Sequence, residues 1–500
     1  MKMNESTIWI GEEDLVRDPD FIAASNSEIN PVSLESILDD EKSGMVESNR
    51  RDFLKLLGFG IGAATLASCE IPVKKAIPYV IKPDTIVPGI ANYYASTFVN
   101  GGDYCSILVK TREGRPIKIE GNALSSITKG GTNARVQAAV LSLYDYNRVK
   151  FPAKMSQNQI SELSWNDLDN EIKTALAASK NIRIVSSTQL SPTALQAVSE
   201  FCSKFSGAKH IMYDAISSAA LLDAGLQCFG ERIIPEFRFD LAETIVSFNA
   251  DFLGTWISPI EYASMYAKTR TIKAEAPKMS QHTQVESHMS LTGSNADNRI
   301  LVKPSEQGAA IAFLYNEVAS KMGAASVPAL ELNDKAKAAF KKLAERLITQ
   351  KSKSLIVCGT NNVGEQILCY SLNNLLGNMG TTLAFDNVSY QRKGSDADLN
   401  QLMTEMKAST VDAIIFWNAN PCYDLPFASE FAQSLANVKT KISLNAIIDE
   451  TSSLCNYLAP DHHFLESWGD VEAKRGMLSL IQPTINPIFK IGRASCRERV

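Results

Sequence analysis

Residues 181–205 read NIRIVSSTQLSPTALQAVSEFCSKF, and the two halves of that stretch have different periods. Ile182, Ile184 and Val185 lie in a short apolar run of the kind a strand buried on both faces requires. Downstream, Ser191 can cap a helix whose first turn holds Pro192. Leu195, Val198, Phe201, Cys202 and Phe205 then recur on one helical face. A buried strand followed by an amphipathic helix is the repeating unit of a doubly wound sheet.

The unit recurs along the chain. KHIMYD (209–214) and AETIVSFNADF (242–252) read as strands, and SEQGAAIAFLYNEVASKM (305–322) as a helix. SLIVCGT (354–360) is a strand leading into the helix GEQILCYSLNNLLGNMG (364–380), expected to end near Gly377. VDAIIFWNANP (411–421) and KISLNAIIDET (441–451) are further strands. The fold class is therefore α/β, with two doubly wound domains expected at 164–350 and 351–490. No repeat with a period of about 20 to 50 residues is visible.

Residues 70–163 differ. PVKKAIPYVIKPDTIVPGIANYYASTF (72–98) is broken by four prolines into short extended pieces expected to wrap over another surface. CSILVKTREGRPIKIEGN (105–122) reads as a hairpin, with strands at Ser106–Lys110 and Pro116–Glu120 around the turn TREGR. This region is expected to be a small β-rich part of the fold.

The N-terminus carries an address. NRRDFLKLLGFGIGAATLASC (49–69) has Arg50, Arg51, Phe53, Leu54 and Lys55 where a twin-arginine export signal needs them. Its apolar run, Leu56 to Ala67, is too short to span a bilayer, which takes about 20 residues. Leu66-Ala67-Ser68-Cys69 resembles a lipobox, making Cys69 the candidate lipidation site, with an ordinary cleavage region as the alternative. Residues 1–48 form an acidic leader. The expected location is the periplasmic face of a bacterial inner membrane.

The chain has 500 residues, a net charge of −5 and 45% apolar residues, enough for large cores. No basic tract with interleaved aromatics points to nucleic acid. Its nine cysteines include no C-x-x-C, so neither a [4Fe–4S] cluster nor a paired-cysteine zinc site is expected here. The last ten residues, IGRASCRERV (491–500), back-translate into a common sequencing adapter. The natural sequence is thus expected to continue beyond Lys490.

Individual candidates are weak. CGTNNVGEQ (358–366) could cradle a pyrophosphate, but a plain α/β turn is the simpler reading. His462, His463 and Glu466 resemble a metal cluster on paper, and His282 and His288 are spaced six apart rather than four. Trp256 and Trp468 read as core or interface aromatics. No G-x-S-x-G motif occurs. No catalytic, cofactor-binding or metal residue is assigned.

GRPIKIEGN (114–122), LYDYNRVKFPAK (143–154), SWNDLDNEI (164–172), IFWNANPCYDLP (415–426) and LAPDHHFLESWGD (458–470) resemble, in order and spacing, motifs of the molybdopterin-dependent oxidoreductases. The opening cysteine cluster of many of those enzymes is missing, with Cys105 alone in YYASTFVNGGDYC (93–105). NADFLGTWISPIEYASMYAKTR (249–270), ESHMSLTGSNADNRILVKP (286–304) and LESWGDVEAKRGMLSLIQPTINPIF (465–489) resemble one branch, the iron–sulfur B subunit of bacterial alternative complex III. That resemblance implies a cofactor-free molybdopterin-oxidoreductase-like half. Its [4Fe–4S] and [3Fe–4S] clusters would lie in a C-terminal half beyond Lys490. The implied partners are the other subunits of a quinol-oxidising respiratory complex, with membrane attachment through a lipid anchor and docking. Such a half would not be catalytic alone. The alternative is an active oxidoreductase with a bis-pterin molybdenum cofactor between the two α/β domains.

Overall fold

The computed structural model describes residues 87, 89–156, 159–272 and 277–489. These belong to the contact-defined unit Pro83–Val500. The export-signal residues Arg50, Arg51, Phe53, Leu54 and Lys55, together with Cys69 and residues 491–500, lie outside the described residues.

Strands β1 (Ala91–Asn100), β2 (Asp103–Arg112) and β3 (Arg115–Gly121) form an antiparallel sheet. The β2–β3 turn is Glu113-Gly114, with φ of 50° and 75°. Two consecutive left-handed residues make the tight hairpin whose twist matches its strands. Part of the proline-spaced stretch expected to wrap over another surface is thus β1 itself, paired with β2 along its length. Helix α1 (Ala134–Leu143), capped by the Asn133 side chain, packs Val136, Val140 and Leu143 against the sheet.

Next come the paired strands β4 (Ala153–Ser156) and β5 (Gln159–Glu162), then α2 (Trp165–Ala177), β6 (Ile182–Ser186), α3 (Pro192–Lys204) and β7 (Lys209–Met212). Ser191 caps α3 by accepting a hydrogen bond from Ala194 N–H. The apolar face expected on α3 is only half buried; Val198 and Phe201 of it line, with α2 and the sheet, an apolar cavity of about 200 Å³.

The chain then leaves this layer. It forms α4 (Ala219–Phe229), β8 (Ile234–Phe237), β9 (Thr244–Phe248), α5 (Pro259–Arg270), β10 (Gln281–Glu286), α6 (Leu291–Ser294), β11 (Asn298–Leu301), α7 (Gln307–Met322) and α8 (Asp334–Thr349). β12 (Ser354–Cys358), α9 (Val363–Leu375), β13 (Leu383–Ser389) and α10 (Asp396–Lys407) follow. The last elements are β14 (Ala413–Trp417), α11 (Pro421–Asp424), α12 (Ala428–Leu435), β15 (Thr440–Ser443), β16 (Tyr457–Leu458), β17 (Gly469–Lys474) and β18 (Met477–Ile481).

Two of the sheets are doubly wound. A seven-stranded sheet has the order β5-β4-β16-β15-β14-β6-β7, parallel from β16 to β7. A four-stranded parallel sheet has the order β11-β10-β9-β12. Strands β18-β17-β13-β8 make a third, antiparallel sheet. Alternate residues serve opposite faces: Ile356 packs with α7, α8 and α9, while Leu355 and Val357 pack with α4 and α5.

The division expected at 350/351 does not follow sheet membership. β12, from the expected second domain, pairs with β9 of the first; β14 pairs with β6. The four-stranded layer is an insertion between β7 and β14. Continuous apolar strands look alike in sequence whichever sheet they join, so the interleaving left no compositional boundary.

Candidate functional site

Ligands of doubly wound sheets bind outside the carboxyl ends of the strands, where strand order reverses. In the seven-stranded sheet that point lies between β6 and β14. There Asn418 Nδ2 donates to Ser187 Oγ at 3.2 Å. The β1–β2 turn reaches the same place: a Cβ on Gly101 would lie 3.5 Å from that of Ser187. At Gly102 a Cβ would lie 1.6 Å from the Gln391 carbonyl oxygen, so the approach of these two backbones requires glycine.

The loop after β13 is laced over the ends of β6 and β7. Arg392 bonds Asp103 at 3.0 Å, Lys393 N–H donates to Thr188 Oγ1 at 2.8 Å, and Gly394 N–H donates to Asp214 at 3.0 Å. Arg232 donates to the carbonyls of Lys393 and Gly394, and Ser395 N–H to that of Met212. The void between this loop, Asp103, Arg135 and Ser258 measures about 10 Å³, at the lower limit for one water.

In the four-stranded sheet the reversal lies between β9 and β12. Gly359 N–H donates to Phe248 C=O at 2.8 Å, and a Cβ on Gly359 would lie 2.4 Å from the Asn249 carbonyl oxygen. The loop CGTNNVGEQ is closed on itself. Asn362 caps α9, Glu365 accepts from Thr360 Oγ1 at 2.5 Å, and Gln366 Nε2 donates to the carbonyls of Cys358 and Thr360. A carboxylate in the first helical turn occupies the field that would attract a phosphate. The pyrophosphate reading therefore gives way to the plain turn. At the end of β10, Glu286 is saturated by Arg299 Nε at 2.7 Å, Ser290 Oγ at 2.6 Å and Gln284 Nε2 at 3.2 Å.

The two sheets share a device invisible at short repeat periods. Asn249 after β9 and Asn418 after β14 both adopt left-handed φ, 51° and 49°. Two residues on, Asp251 Oδ1 accepts from the N–H and hydroxyl of Thr292, and Asn420 Oδ1 accepts from the N–H and hydroxyl of Thr451. Each threonine oxygen in turn accepts a backbone N–H, from Leu253 and Cys422 respectively. The strand-end turns of both layers are copies of one design.

No family model matches the chain. It is 24% identical over 424 residues to the menaquinone reductase, molybdopterin-binding-like subunit of Nitratidesulfovibrio vulgaris (strain Hildenborough), covering 77% of this chain. The chain spans 61% of that relative's length. Among solved structures it is similar to acetylene hydratase from Pelobacter acetylenicus, with a TM-score of 0.64 and 13% identity over 79% of this chain and 67% of that one. The α/β fold, with its two doubly wound layers, is shared with that structure.

Within that fold, neither strand-end crevice fits a pterin dinucleotide. One is laced shut by residues 389–396, and in the other Gly359 meets Asn249 while Glu286 and Glu365 place carboxylates at the strand ends. No group of three His, Cys, Asp or Glu able to hold a metal exists among the described residues.

The histidines are likewise committed to structure. Glu466 accepts from Arg148 at 2.6 and 3.1 Å and from the N–H groups of His463 and Ile488. His463 Nε2 bonds Ser142 Oγ at 2.9 Å, and burial, with Arg148 nearby, lowers the His463 ring to about 4. A guanidinium on the carboxylate excludes the metal reading for His462, His463 and Glu466. His282 is buried on β10 between Tyr266 and Gln284, whereas His288 is exposed, so the two do not form a site. Trp256 packs on Phe237 in the core, and Trp468 is 57% exposed. Cys105 is buried, its thiol donating to Gly131 C=O at 3.3 Å, and burial pushes it up to about 12.

The sequence reading missed a buried triad. Lys474 on β17 bonds Glu236 on β8 at 2.9 Å and Glu261 on α5. Burial works against the Lys474 charge, but the two carboxylates outweigh it and raise its pKa. Glu261 is raised by burial despite the lysine. The triad joins the antiparallel sheet to the four-stranded layer.

Proposed function

We propose that this chain is the cofactor-free, scaffolding half of an electron-transfer subunit in a membrane quinone-linked respiratory complex. One observation carries the reading: the chain's own loops and side chains fill the strand-end crevices where its fold would hold a pterin cofactor. The relative named as a menaquinone reductase subunit supports membership in such a complex. The branch resemblance refines it to alternative complex III, exported through Arg50 and Arg51 and anchored at Cys69 on the periplasmic face. Electrons would pass through iron–sulfur clusters in a segment beyond Lys490, with this half holding that segment against its partner subunits.

Reading the gene past the codon for Lys490 tests this, followed by iron analysis of the full product. The proposal expects closely spaced cysteine runs downstream and several irons per chain. An in-frame stop near Lys490, or a continuation without cysteine runs, would overturn it.

A further inference from the structure

Cys358 ends β12, and Cys369 sits midway along α9, the helix that follows it. Both side chains are buried in the same apolar core. Hydrogen bonds fix how the helix lies on the strand. Gln366 Nε2 donates to Cys358 C=O at 3.0 Å. Asn373 Oδ1 accepts from Ile356 N–H at 3.1 Å, and its Nδ2 donates to Ile356 C=O at 2.8 Å. Gln366, Cys369 and Asn373 follow at intervals of three and four, so they form one stripe along α9. Ile356 and Cys358 are two apart on the strand and face the same side of the sheet. Gln366 therefore lies over Cys358 and Asn373 over Ile356, with Cys369 between them.

The two thiols meet there and are hydrogen-bonded to each other. Burial raises the Cys358 thiol, but hydrogen bonds from Cys369 and Thr360 outweigh it and lower it below its ordinary value. Burial, and then the bond to Cys358, raise Cys369. Cys358 Sγ also lies 3.1 Å from Thr360 Oγ1, whose hydrogen goes to Glu365 Oε2. Asn361 and Asn362, in the turn that follows Cys358, are exposed. The pair is thus buried beneath a surface turn rather than deep in a layer.

We propose that Cys358 and Cys369 are a thiol–disulfide exchange pair that closes to an internal disulfide tying β12 to α9. The co-reactant is a disulfide oxidant. With the turn at 359–362 open, the Cys358 thiolate attacks one sulfur of the oxidant, whose S–S bond breaks and releases one thiolate. Cys369 then loses its proton and attacks the Cys358 sulfur of the mixed disulfide, expelling the second thiolate. Two protein thiols are oxidised, one disulfide is reduced to two thiols, and the two protons end on the departing sulfurs. The rival reading, two buried cysteines acting only as small hydrophobes, leaves both reduced. The periplasmic location proposed above would supply the oxidant, but the pairing follows from the fold and does not depend on that location.

The test is mass spectrometry of the full chain brought to equilibrium with glutathione disulfide, in urea below its unfolding midpoint so that local opening occurs. The chain is then alkylated in denaturant and digested with trypsin. Both cysteines fall in one tryptic peptide, Ser354–Arg392, which holds no other cysteine. That peptide is expected without alkylation and lighter by two hydrogens than its dithiol form, with loss of the doubly alkylated species that prior reduction gives. Cys369→Ala is expected to stop with glutathione held on Cys358, and Cys358→Ala to take up glutathione on Cys369 more slowly. A parent peptide with both cysteines alkylated, or carrying glutathione without closing, would overturn the proposal. So would a disulfide from either residue to a different cysteine, or faster uptake at Cys369 than at Cys358.

Discussion

Arg148 donates two hydrogen bonds to the carboxylate of Glu466, at 2.6 and 3.1 Å, and both side chains are buried. The pair joins LYDYNRVKFPAK to LAPDHHFLESWGD, two of the stretches that carry the resemblance to molybdopterin oxidoreductases. Their shared role here is to clamp the β-rich region to the end of the described chain. Removing one partner leaves a charge buried without its counterion. Glu466→Gln should therefore lower the free energy of unfolding by about 3 kcal/mol in urea titrations. Pairing it with Arg148→Met should cost less than the sum of the two single changes, because neither charge is then left alone.

Gly359 tests the closure at β9 and β12. Its Cβ would meet the Asn249 carbonyl oxygen at 2.4 Å and Ala250 Cα at 2.7 Å, both backbone atoms unable to rotate aside. Gly359→Ala should cost about 2 kcal/mol or more. Gly364→Ala, in the first turn of α9 with its nearest contact at 3.4 Å, should be neutral or stabilising by up to about 1 kcal/mol. Thermal unfolding of the two variants separates them.

The duplicated strand-end turns predict matching effects. Thr292→Val leaves the Leu253 N–H without its acceptor, and Thr451→Val does the same to Cys422 N–H. Each should lose about 1 to 3 kcal/mol, with the double variant additive because the two turns share no partner. A much larger loss at one turn would show that the two copies do not play equal parts.

His282 gives a pH signature. Burial is the main cause that holds the ring near 4, below its ordinary 6.5; the Gln284 hydrogen bond opposes that shift, and Arg270, Asp297 and Glu286 also face it. Between those values the unfolded chain binds a proton that the folded chain refuses, so stability falls as pH drops from 6.5 toward 4. The limiting slope is about 1.4 kcal/mol per pH unit for one such histidine. His210 and His463 are lowered in the same direction. The difference between the parent and His282→Asn across pH 7 to 4.5 isolates this residue: the variant should show the shallower decline.

The local grammar of the fold was legible where one short stretch holds both the signal and its partner. Ser191 caps its helix, and Glu113-Gly114 turns the hairpin, because those interactions close within a few residues. The β17–β18 hairpin carries a comparable local signal, an Arg475-Gly476 turn with Gly476 at φ 77°. Long-range features had no such signal. Nothing around Lys474 announces Glu236 or Glu261, since burial decides that pairing and burial is set by three separate elements. The closure of the crevices was equally hidden: it rests on where the loop after β13 lands, not on a motif.

The most direct measurement is the molybdenum and pterin content of the full-length product, made in a host that supplies the cofactor and purified without chelators. The account predicts molybdenum well below one per chain, no pterin released on denaturation, and the same unfolding temperature from a host unable to make the cofactor. One molybdenum with its pterins per chain would contradict it, because a bound dinucleotide would require the loop at 389–396 and the contact at Gly359 to open.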